Sequence, residues 1–336
     1  MVSTLDSPPQ PEPNAKPGRT RRSDRRRSSE RFGREDPTHI RTFVSINVAR
    51  ASSRLARSLP DGVRYAIADA LGLLNYALIP GYRRNVRANL DQVHKGAGLP
   101  PVTNQDVRNV FLVSSRNWAD LLVCPKRTEA QFRSDVEMDA ESIANLDHAL
   151  ALGKGCVLVT AHVGAFDFIG HYLHAVGYPL VILTTRTTSR LVFDGVTYLR
   201  QANGLALVDA NASGVRKALV SLHKGEFAVV VSDRDFFSNG ISVPFFGRET
   251  TLPQGAVRMA RDTGAVVVPI FGRRKKRGHQ IIVLPPLAIE KTDDLQVDLK
   301  QGLGKIVEVM EAAIAAAPSQ WVMFQAVWPP EVPVSA

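Results

Sequence analysis

Short apolar runs alternate with longer amphipathic stretches from residue 157 to residue 284, and this pattern constrains the fold more than any other feature of the sequence. The apolar runs predict strands at 157–160, 180–183, 205–208, 227–232, 265–271 and 280–284. The stretches between them predict helices that begin near residue 166 and at 191–203, 214–224 and 255–262, with a long helix at 294–317. Strands that alternate with helices favour a mostly parallel sheet. We therefore expect an α/β fold whose mostly parallel central sheet is flanked by helices.

The residues before this region predict a group of N-terminal helices. Periodic apolar residues indicate helices at 40–59 and 63–79, and Pro60 and Pro80 separate them. A basic helix follows from Tyr82, and further helices are expected at 104–122 and 140–152, with a short strand at 132–138. The helix at 63–79 has two interpretations, an amphipathic anchor in a membrane interface or a helix packed on the domain.

The N-terminal tail is rich in proline and arginine and predicts disorder over residues 1–38. The chain of 336 residues carries 42 Lys+Arg against 32 Asp+Glu, a net charge of +10, which suits an anionic membrane surface, a nucleic acid or a phosphorylated substrate. The tail is either an electrostatic tether to anionic headgroups or a solvated tail, and a nucleic-acid arm is a weaker third option. Residues 39–330 are expected to form a single domain, followed by a short tail at 331–336.

Membrane-spanning and disulfide-bonded architectures receive no support from the sequence. There is no apolar run of about 18 residues, so no transmembrane helix is predicted, and the polar N-terminus lacks a secretory signal. The two cysteines, Cys124 and Cys156, have neither metal-ligand spacing nor a disulfide pattern, which favours a reducing compartment.

The turn after the first predicted strand places a histidine and a carboxylate close together. His162 lies where the strand at 157–160 ends, Gly164 permits a tight turn, and Asp167 comes about one turn into the next helix. A neutral histidine removes a proton from a hydroxyl near pH 7, and a carboxylate on its other nitrogen fixes the tautomer. The alternative is that His162 caps the helix and Asp167 is a first-turn acid that faces the helix dipole. The spacing alone leaves both interpretations open.

A second polar group follows the strand at 227–232. Asp233, Arg234 and Asp235 come at its carboxyl end, on the same side of the sheet as His162. An Asp-x-Asp triplet chelates divalent metals in some transferases, or Arg234 pairs with a phosphate while an aspartate orients it. Further on, the segment 243–248 combines two aromatic rings with an arginine, which suits a site for an acyl chain and a phosphate or, alternatively, a core hairpin. Its members are Phe245, Phe246 and Arg248.

Together these stretches resemble the bacterial lipid A biosynthesis acyltransferase family, within the wider lysophospholipid acyltransferase superfamily. The superfamily's His-x-x-x-x-Asp/Glu motif (HX4D) is matched by His162 and Asp167, and the family's second block by residues 233–269. The closing 318–321, Pro-Ser-Gln-Trp, is similar to the family's C-terminal Pro-x-Gln-Trp. The resemblance covers residues 40–328. It departs from the family at 164–167, where Gly-Ala-Phe-Asp replaces Gly-Asn-Trp-Glu, and in lacking an evident N-terminal membrane helix. In these respects the sequence looks more like the actinobacterial branch that acylates mannosylated phosphatidylinositol.

The resemblance implies a peripheral O-acyltransferase on the cytoplasmic face of the plasma membrane. It would move an acyl group directly from acyl-CoA or acyl carrier protein to a hydroxyl of a membrane glycolipid or phospholipid, without a metal or another cofactor and without a nucleic-acid partner. His162 would be the general base, oriented by Asp167, and the oxyanion would meet backbone N–H groups near Gly164 or an arginine. The residues expected to be catalytic are His162, Asp167, Asp233 and Asp235. Those expected to bind substrate are Gly164, Arg200, Arg234, Phe245, Phe246 and Arg248.

Two other functions remain open from the sequence. One is a thioesterase-like hydrolase, in which water replaces the acceptor hydroxyl. The other is a membrane-binding protein that keeps the fold without the chemistry. A serine hydrolase is disfavoured because the chain has no Gly-x-Ser-x-Gly nucleophile elbow.

Overall fold

A computed structural model of the chain describes residues 37–185 and 190–328. Its contacts divide the chain into two compact units, Met1–Ile40 and Arg41–Ala336. The N-terminal tail predicted over 1–38 lies outside the described residues except for its last two positions, and the tail predicted at 331–336 lies wholly outside them. The first helix begins at Pro37, in the first unit, and every later element lies in the second unit.

Four helices come first, close to where the sequence predicts them: α1 (Pro37–Ser58), α2 (Asp61–Leu78), α3 (Pro80–Gly96) and α4 (Asn104–Val123). Helix α4 begins with a capping box in which the side chains of Thr103 and Asp106 each accept the other's backbone N–H. Helices α2 and α4 pack closely, because Gly72 has no side chain: a Cβ there would lie 2.5 Å from Ser115 Oγ.

The strand predicted at 132–138 is wrong over most of its length. A second capping box, between Thr128 and Gln131, begins the helix α5 (Glu129–Asp135) instead. Only β1 (Val136–Glu137) is extended, and α6 (Ala140–Ala151) follows. Phe132, on α5, is fully buried and its ring packs against that of Phe168. Its apolar character therefore reflects core packing and not a strand.

The remaining chain forms the predicted α/β alternation. Its strands are β2 (Cys156–Thr160), β3 (Leu180–Thr184), β4 (Ala206–Asp209), β5 (Phe227–Val231), β6 (Ile241–Phe245), β7 (Arg248–Leu252), β8 (Val266–Arg274) and β9 (His279–Val283). Its helices are α7 (Phe166–Ala175), α8 (Arg190–Gln201), α9 (Ala212–His223), α10 (Gly255–Thr263) and α11 (Leu295–Ala315).

The central sheet has seven strands in the order β1-β9-β8-β2-β5-β3-β4. The five from β8 to β4 are mutually parallel, whereas β9 is antiparallel to β8 and parallel to β1. Strands β6 and β7 form a separate antiparallel hairpin. The expected α/β fold with a mostly parallel sheet flanked by helices is therefore confirmed.

Strand β2 lies in the middle of the sheet and is buried on both faces. Val157 and Val159 pack into one core cluster, and Cys156 and Leu158 pack into the other. A strand covered on both faces is apolar at every position, which is why the run is continuous rather than alternating. Both cysteines are buried and free.

In the two described ranges, no helix is both long enough and apolar enough to cross a bilayer.

Candidate active site

The register of β2 and β5 brings His162 and Asp233 together. These strands are neighbours, Thr160 pairs with Val231, and Ser232 N–H donates to Thr160 O at 2.9 Å. His162 and Asp233 each come two residues after this last pair, so both lie beyond the same carboxyl edge. That edge is where open α/β sheets place their ligands.

Asp233 is the carboxylate that holds the His162 ring. Its Oδ1 lies 2.7 Å from His162 Nδ1, and its Oδ2 accepts the His162 backbone N–H at 2.8 Å. Oδ2 also accepts the Trp321 indole N–H at 2.8 Å. The Asp233 side chain is fully buried, whereas that of His162 is 21% exposed. Because a carboxylate only accepts, Nδ1 carries the proton and Nε2 is left as the basic nitrogen.

Burial and ion pairing act in opposite directions on this pair. Burial lowers the pKa of His162, but the charge of Asp233 and its hydrogen bond outweigh burial, so the pKa is raised above its ordinary value. Burial likewise raises the pKa of Asp233, and the charge and hydrogen bonds of His162 together with the Trp321 N–H bring the net pKa below its usual range. The pair therefore favours an ionised carboxylate that stabilises a protonated imidazole.

Asp167 has a different partner from the one the sequence suggested. It lies in the first turn of α7 and forms an ion pair with Arg200 of α8, whose Nη2 is 2.7 Å from Oδ1 and 3.0 Å from Oδ2. The hydrogen bond to the His162 ring comes from Asp233. The expectation that Asp167 orients the ring is thus corrected, although the charge of Asp167 also raises the pKa of His162.

Asp235 organises the loop after β5, in contrast to the catalytic role expected of it. Its Oδ1 accepts the Phe237 N–H at 3.1 Å and its Oδ2 accepts the Gly240 N–H at 2.8 Å. With Asp233 bonded to His162, both carboxylates of the Asp-x-Asp triplet are engaged by internal donors. Among the described residues there is no group of three or more His, Cys, Asp or Glu arranged to hold a metal ion.

A cavity of about 800 Å³ opens beside His162. His162, Asp167 and Arg200 line it together with Arg234, whose guanidinium lies 4.2 Å from the centre of the Phe236 ring. Most of the remaining wall consists of apolar side chains, which come mainly from β2, α7, β3, α9 and β5. Representative members are Leu158, Leu173, Ile182, Leu205, Leu219 and Val229. Polar side chains at the wall of a mostly apolar cavity suit a reaction at one end of a hydrocarbon chain.

Four of the residues expected to bind substrate lie outside this cavity wall as the structure describes it. Phe245 and Phe246 are buried in the core, where the Phe245 ring stacks on Trp328, and Arg248 begins the paired strand β7. Gly164 has a φ of +56°, and a Cβ there would lie 2.4 Å from Gly272 O. The hairpin therefore contributes to the core, and Gly164 permits close packing of the turn at 162–164 on β8.

The C-terminal segment completes the site, a role that its sequence did not predict. Besides the Trp321 bond to Asp233, Gln320 O accepts the Gly164 N–H at 2.9 Å and Val322 N–H donates to His162 O at 2.8 Å. The Gly164 N–H is thus engaged and is not directed at an oxyanion. The Pro-Ser-Gln-Trp motif was the signal that marked this segment.

Comparison with known proteins identifies the family of the chain. Residues 37–329 match the family model for bacterial lipid A biosynthesis acyltransferases. A phosphatidylinositol mannoside acyltransferase of Mycobacterium tuberculosis is 25% identical over 301 residues, 88% of this chain and 92% of the relative, and one of Mycolicibacterium smegmatis is 25% identical over 283 residues, 83% and 89% respectively. A lipid A biosynthesis acyltransferase of Haemophilus influenzae is 30% identical over 182 residues, 54% of this chain and 55% of that protein. The match to the family model spans all of the described residues, and the chain belongs to the bacterial lipid A biosynthesis acyltransferase family.

Proposed function

We propose that this acyltransferase moves a fatty acyl group from a thioester donor to a hydroxyl of a membrane glycolipid or phospholipid, with His162 as general base. The donor is acyl-CoA or acyl carrier protein. One observation carries the proposal: His162, a side chain that lines a mostly apolar cavity, donates from Nδ1 to the buried Asp233, which leaves Nε2 as its basic nitrogen. The distance of 2.7 Å is short enough to fix the tautomer that a general base needs.

The reaction needs no covalent enzyme intermediate. His162 Nε2 takes the proton of the acceptor hydroxyl while its oxygen attacks the thioester carbonyl carbon. The new carbon–oxygen bond forms, the carbon–sulfur bond breaks, and the proton passes from His162 to the leaving thiolate. Asp233 stays ionised throughout and stabilises the imidazolium. Holding donor and acceptor in one cavity supplies much of the rate through orientation.

The oxyanion is best met by the first turn of α7. This helix has no side-chain cap at Ala165. Phe168 N–H donates to Ala165 O at 2.9 Å, and the N–H groups of Phe166 and Asp167 come before this first bond of the helix. Phe166 and Asp167, the first two residues of the helix, line the cavity beside His162. A helix N-terminus stabilises developing negative charge. Arg234, also on the cavity wall, is the second candidate for this role and for a donor phosphate.

Helices α1 and α2 carry the surface that supports peripheral membrane association. Exposed apolar side chains recur along α2 at intervals of three and four residues, at Val63, Ile67, Leu71, Leu74 and Leu78. On α1, Phe43 and Leu55 are 70% and 63% exposed. Arginines at 54, 57 and 84 are exposed on α1 and α3. An exposed apolar stripe, with exposed cations on the helices before and after it in the chain, suits the interface of an anionic membrane. We propose that this face lies on the cytoplasmic side of the plasma membrane.

The decisive experiment measures release of free CoA from palmitoyl-CoA by wild type and His162→Ala, with and without acceptor lipid. Phosphatidylinositol mannoside and a lipid A precursor are the first acceptors to test, because relatives are named for them. Release that requires an acceptor and disappears in His162→Ala is the expected result. His148→Ala, which alters an exposed histidine on α6, is the matched control and should behave as wild type.

Other outcomes separate the alternatives. Equal release without any acceptor would identify a hydrolase. No release from palmitoyl-CoA or from palmitoyl carrier protein with either acceptor would show that the proposal is wrong. In a parallel arm, binding to anionic vesicles should weaken when Leu71 and Leu78 are both replaced by Asn, and unchanged binding would contradict the assigned membrane face.

A further inference from the structure

A side chain of α4 forms a hydrogen bond with the backbone of the turn that carries His162. Asn117 Nδ2 donates to Gly164 O at 2.6 Å, and Asn117 is 9% exposed. Gly164 is two residues after His162 and holds a positive φ of +56°. The C-terminal segment holds the same glycine through its N–H. Asn117 therefore fixes the carbonyl side of a turn whose geometry sets the direction of the His162 ring.

A buried charged group fixes the orientation of the Asn117 amide. Arg274 Nε donates to Asn117 Oδ1 at 3.1 Å. A guanidinium has only donors, so the amide oxygen must face Arg274 and the amide nitrogen must face Gly164. Arg274 also forms an ion pair with Asp120, and the two side chains are 9% and 5% exposed. Asp120 in turn accepts the Tyr65 hydroxyl at 2.7 Å.

This chain of contacts ends on α2, on the side opposite its exposed stripe. Tyr65, Asp69 and Gly72 all face α4: Tyr65 bonds Asp120, Asp69 bonds Arg116, and Gly72 packs on Ser115. Leu71 and the rest of the exposed stripe lie on the other side of the helix, as the spacing of 3.6 residues per turn requires. One helix thus joins the proposed membrane face to the catalytic turn.

A purely stabilising role is a poor explanation for such a cluster. The desolvation of a buried ion pair offsets most of its attraction, and apolar residues of similar size often replace one without loss of stability. A buried hydrogen-bonded network instead selects one arrangement of the groups that it touches. Here the group at its end is the carbonyl of the catalytic turn.

We propose that Asn117 is a positioning residue for acyl transfer, and that the chain Tyr65–Asp120–Arg274 holds its amide in the orientation that fixes the turn at 162–164. The inference rests on the proposed function of His162 as general base. Its chemistry is indirect, because Asn117 contacts the turn and not the reacting atoms. Loss of the Asn117 contact should therefore affect turnover and the pKa of His162 rather than the binding of the donor.

The test compares Asn117→Ala, Asn117→Asp and Asp69→Asn with wild type. Asn117→Ala removes both contacts of the amide, whereas Asn117→Asp is isosteric, keeps an acceptor for Arg274 and loses the donor to Gly164 O. Asp69→Asn is the matched control, because it breaks the Asp69–Arg116 ion pair between the same two helices without touching the turn. We would measure kcat, KM for the donor, the pH profile of kcat/KM and the melting temperature.

We expect both Asn117 variants to lose about 10- to 100-fold in kcat with little change in KM, since a small misplacement of a catalytic group costs that much. The acid limb of the Asn117→Ala profile should move to lower pH, because a loosened turn weakens the contact of His162 with Asp233. Asp167 and Arg234, the other charged groups that act on His162, are unaltered. Asp69→Asn should keep the wild-type kcat and profile even where it lowers the melting temperature.

Three results would overturn the inference. One is an unchanged kcat in the Asn117 variants, and the second is an equal loss in Asp69→Asn. If the Asn117 variants do not fold, Tyr65→Phe removes a single hydroxyl from the same chain, and an unchanged kcat and pH profile there would also refute it. Wild type without His162-dependent transfer is a separate result, which would remove the proposed function and this inference together.

Discussion

Replacing Asp233 by Asn tests which carboxylate serves His162. The carboxylate accepts three N–H donors, two at Oδ2 and one at Oδ1. In Asp233→Asn the amide oxygen should take the Oδ2 position, because His162 N–H and Trp321 N–H both need an acceptor there. The amide nitrogen then faces His162 Nδ1 as a donor. The proton of the ring must then be on Nε2, and a protonated Nε2 cannot accept the proton of the acceptor hydroxyl.

The expected loss is large because the tautomer itself is wrong. In serine hydrolases the equivalent change costs about 10⁴-fold in kcat, and we expect about 10³- to 10⁴-fold here, or about 4 to 5.5 kcal/mol of transition-state stabilisation. The pH profile adds a second measure. Asp233 raises the pKa of His162, so the wild-type acid limb should lie above the ordinary value of about 6.5. In Asp233→Asn the residual activity should have its acid limb at lower pH.

The assay follows acceptor-dependent release of CoA between pH 5 and pH 9, with Asp167→Asn as the comparison. Asp167→Asn weakens the ion pair with Arg200 but leaves the ring hydrogen bond in place, so its kcat should fall less than in Asp233→Asn. The reasoning would be refuted if Asp167→Asn cost as much and Asp233→Asn retained most of the activity. Circular dichroism of both variants would show that each is folded.

Three further changes have predictable outcomes. Trp321→Phe removes the indole N–H that donates to Asp233 and leaves a small cavity. The free energy of unfolding, measured by urea titration, should fall by roughly 2–4 kcal/mol, and kcat in the CoA assay should also fall. Gly164→Ala forces a Cβ against Gly272 O at a positive φ, which should cost on the order of 1–3 kcal/mol from backbone strain alone; a melting temperature equal to that of wild type would contradict this. Burial lowers the pKa of His171 to about 4 in the folded protein, below its value in the unfolded chain. The folded state therefore binds fewer protons than the unfolded state, and the protein should lose about 3 kcal/mol of stability as the pH falls from about 6.5 to 4. His171→Phe should flatten that part of the dependence of unfolding free energy on pH, and an unchanged slope would contradict the neutral state of the buried ring.

The fold was predictable because the middle strands of its central sheet, such as β2, are covered on both faces. Continuous apolar runs such as 157–160 occur where neither face meets water, and the glycine and proline residues between them mark the turns. The prediction at 132–138 was wrong because Phe132 supplies an apolar residue to the core from a short helix, and an apolar run of that length does not distinguish the two. The capping box at Thr128 was the local signal that favours a helix.

The site was predictable only in part, because its geometry depends on strand order. The sequence places Asp233 at the same edge of the sheet as His162, but it does not state that β5 is the neighbour of β2. The spacing of five residues therefore favoured Asp167, which instead pairs with Arg200 across α7 and α8. The aromatic pair at 245–246 was ambiguous for a similar reason. Its burial is set by Trp328, which is more than eighty residues further along the chain.

Asp233 and Asp167 thus have different partners, although the sequence motif pairs the histidine with Asp167 alone. Asp233 is fully buried, and its hydrogen bonds reach the ring, the backbone of the turn and the C-terminal Trp321. Asp167 is partly exposed at the cavity wall and holds Arg200 there. A carboxylate that must stay ionised beside an imidazolium benefits from a buried, fully bonded position, whereas one that holds a cation near substrate must remain at the cavity. Asp233 reaches its position through β5 and accepts the Trp321 N–H, so the arrangement of His162, Asp233 and Trp321 forms only when the chain is folded up to its C-terminal segment.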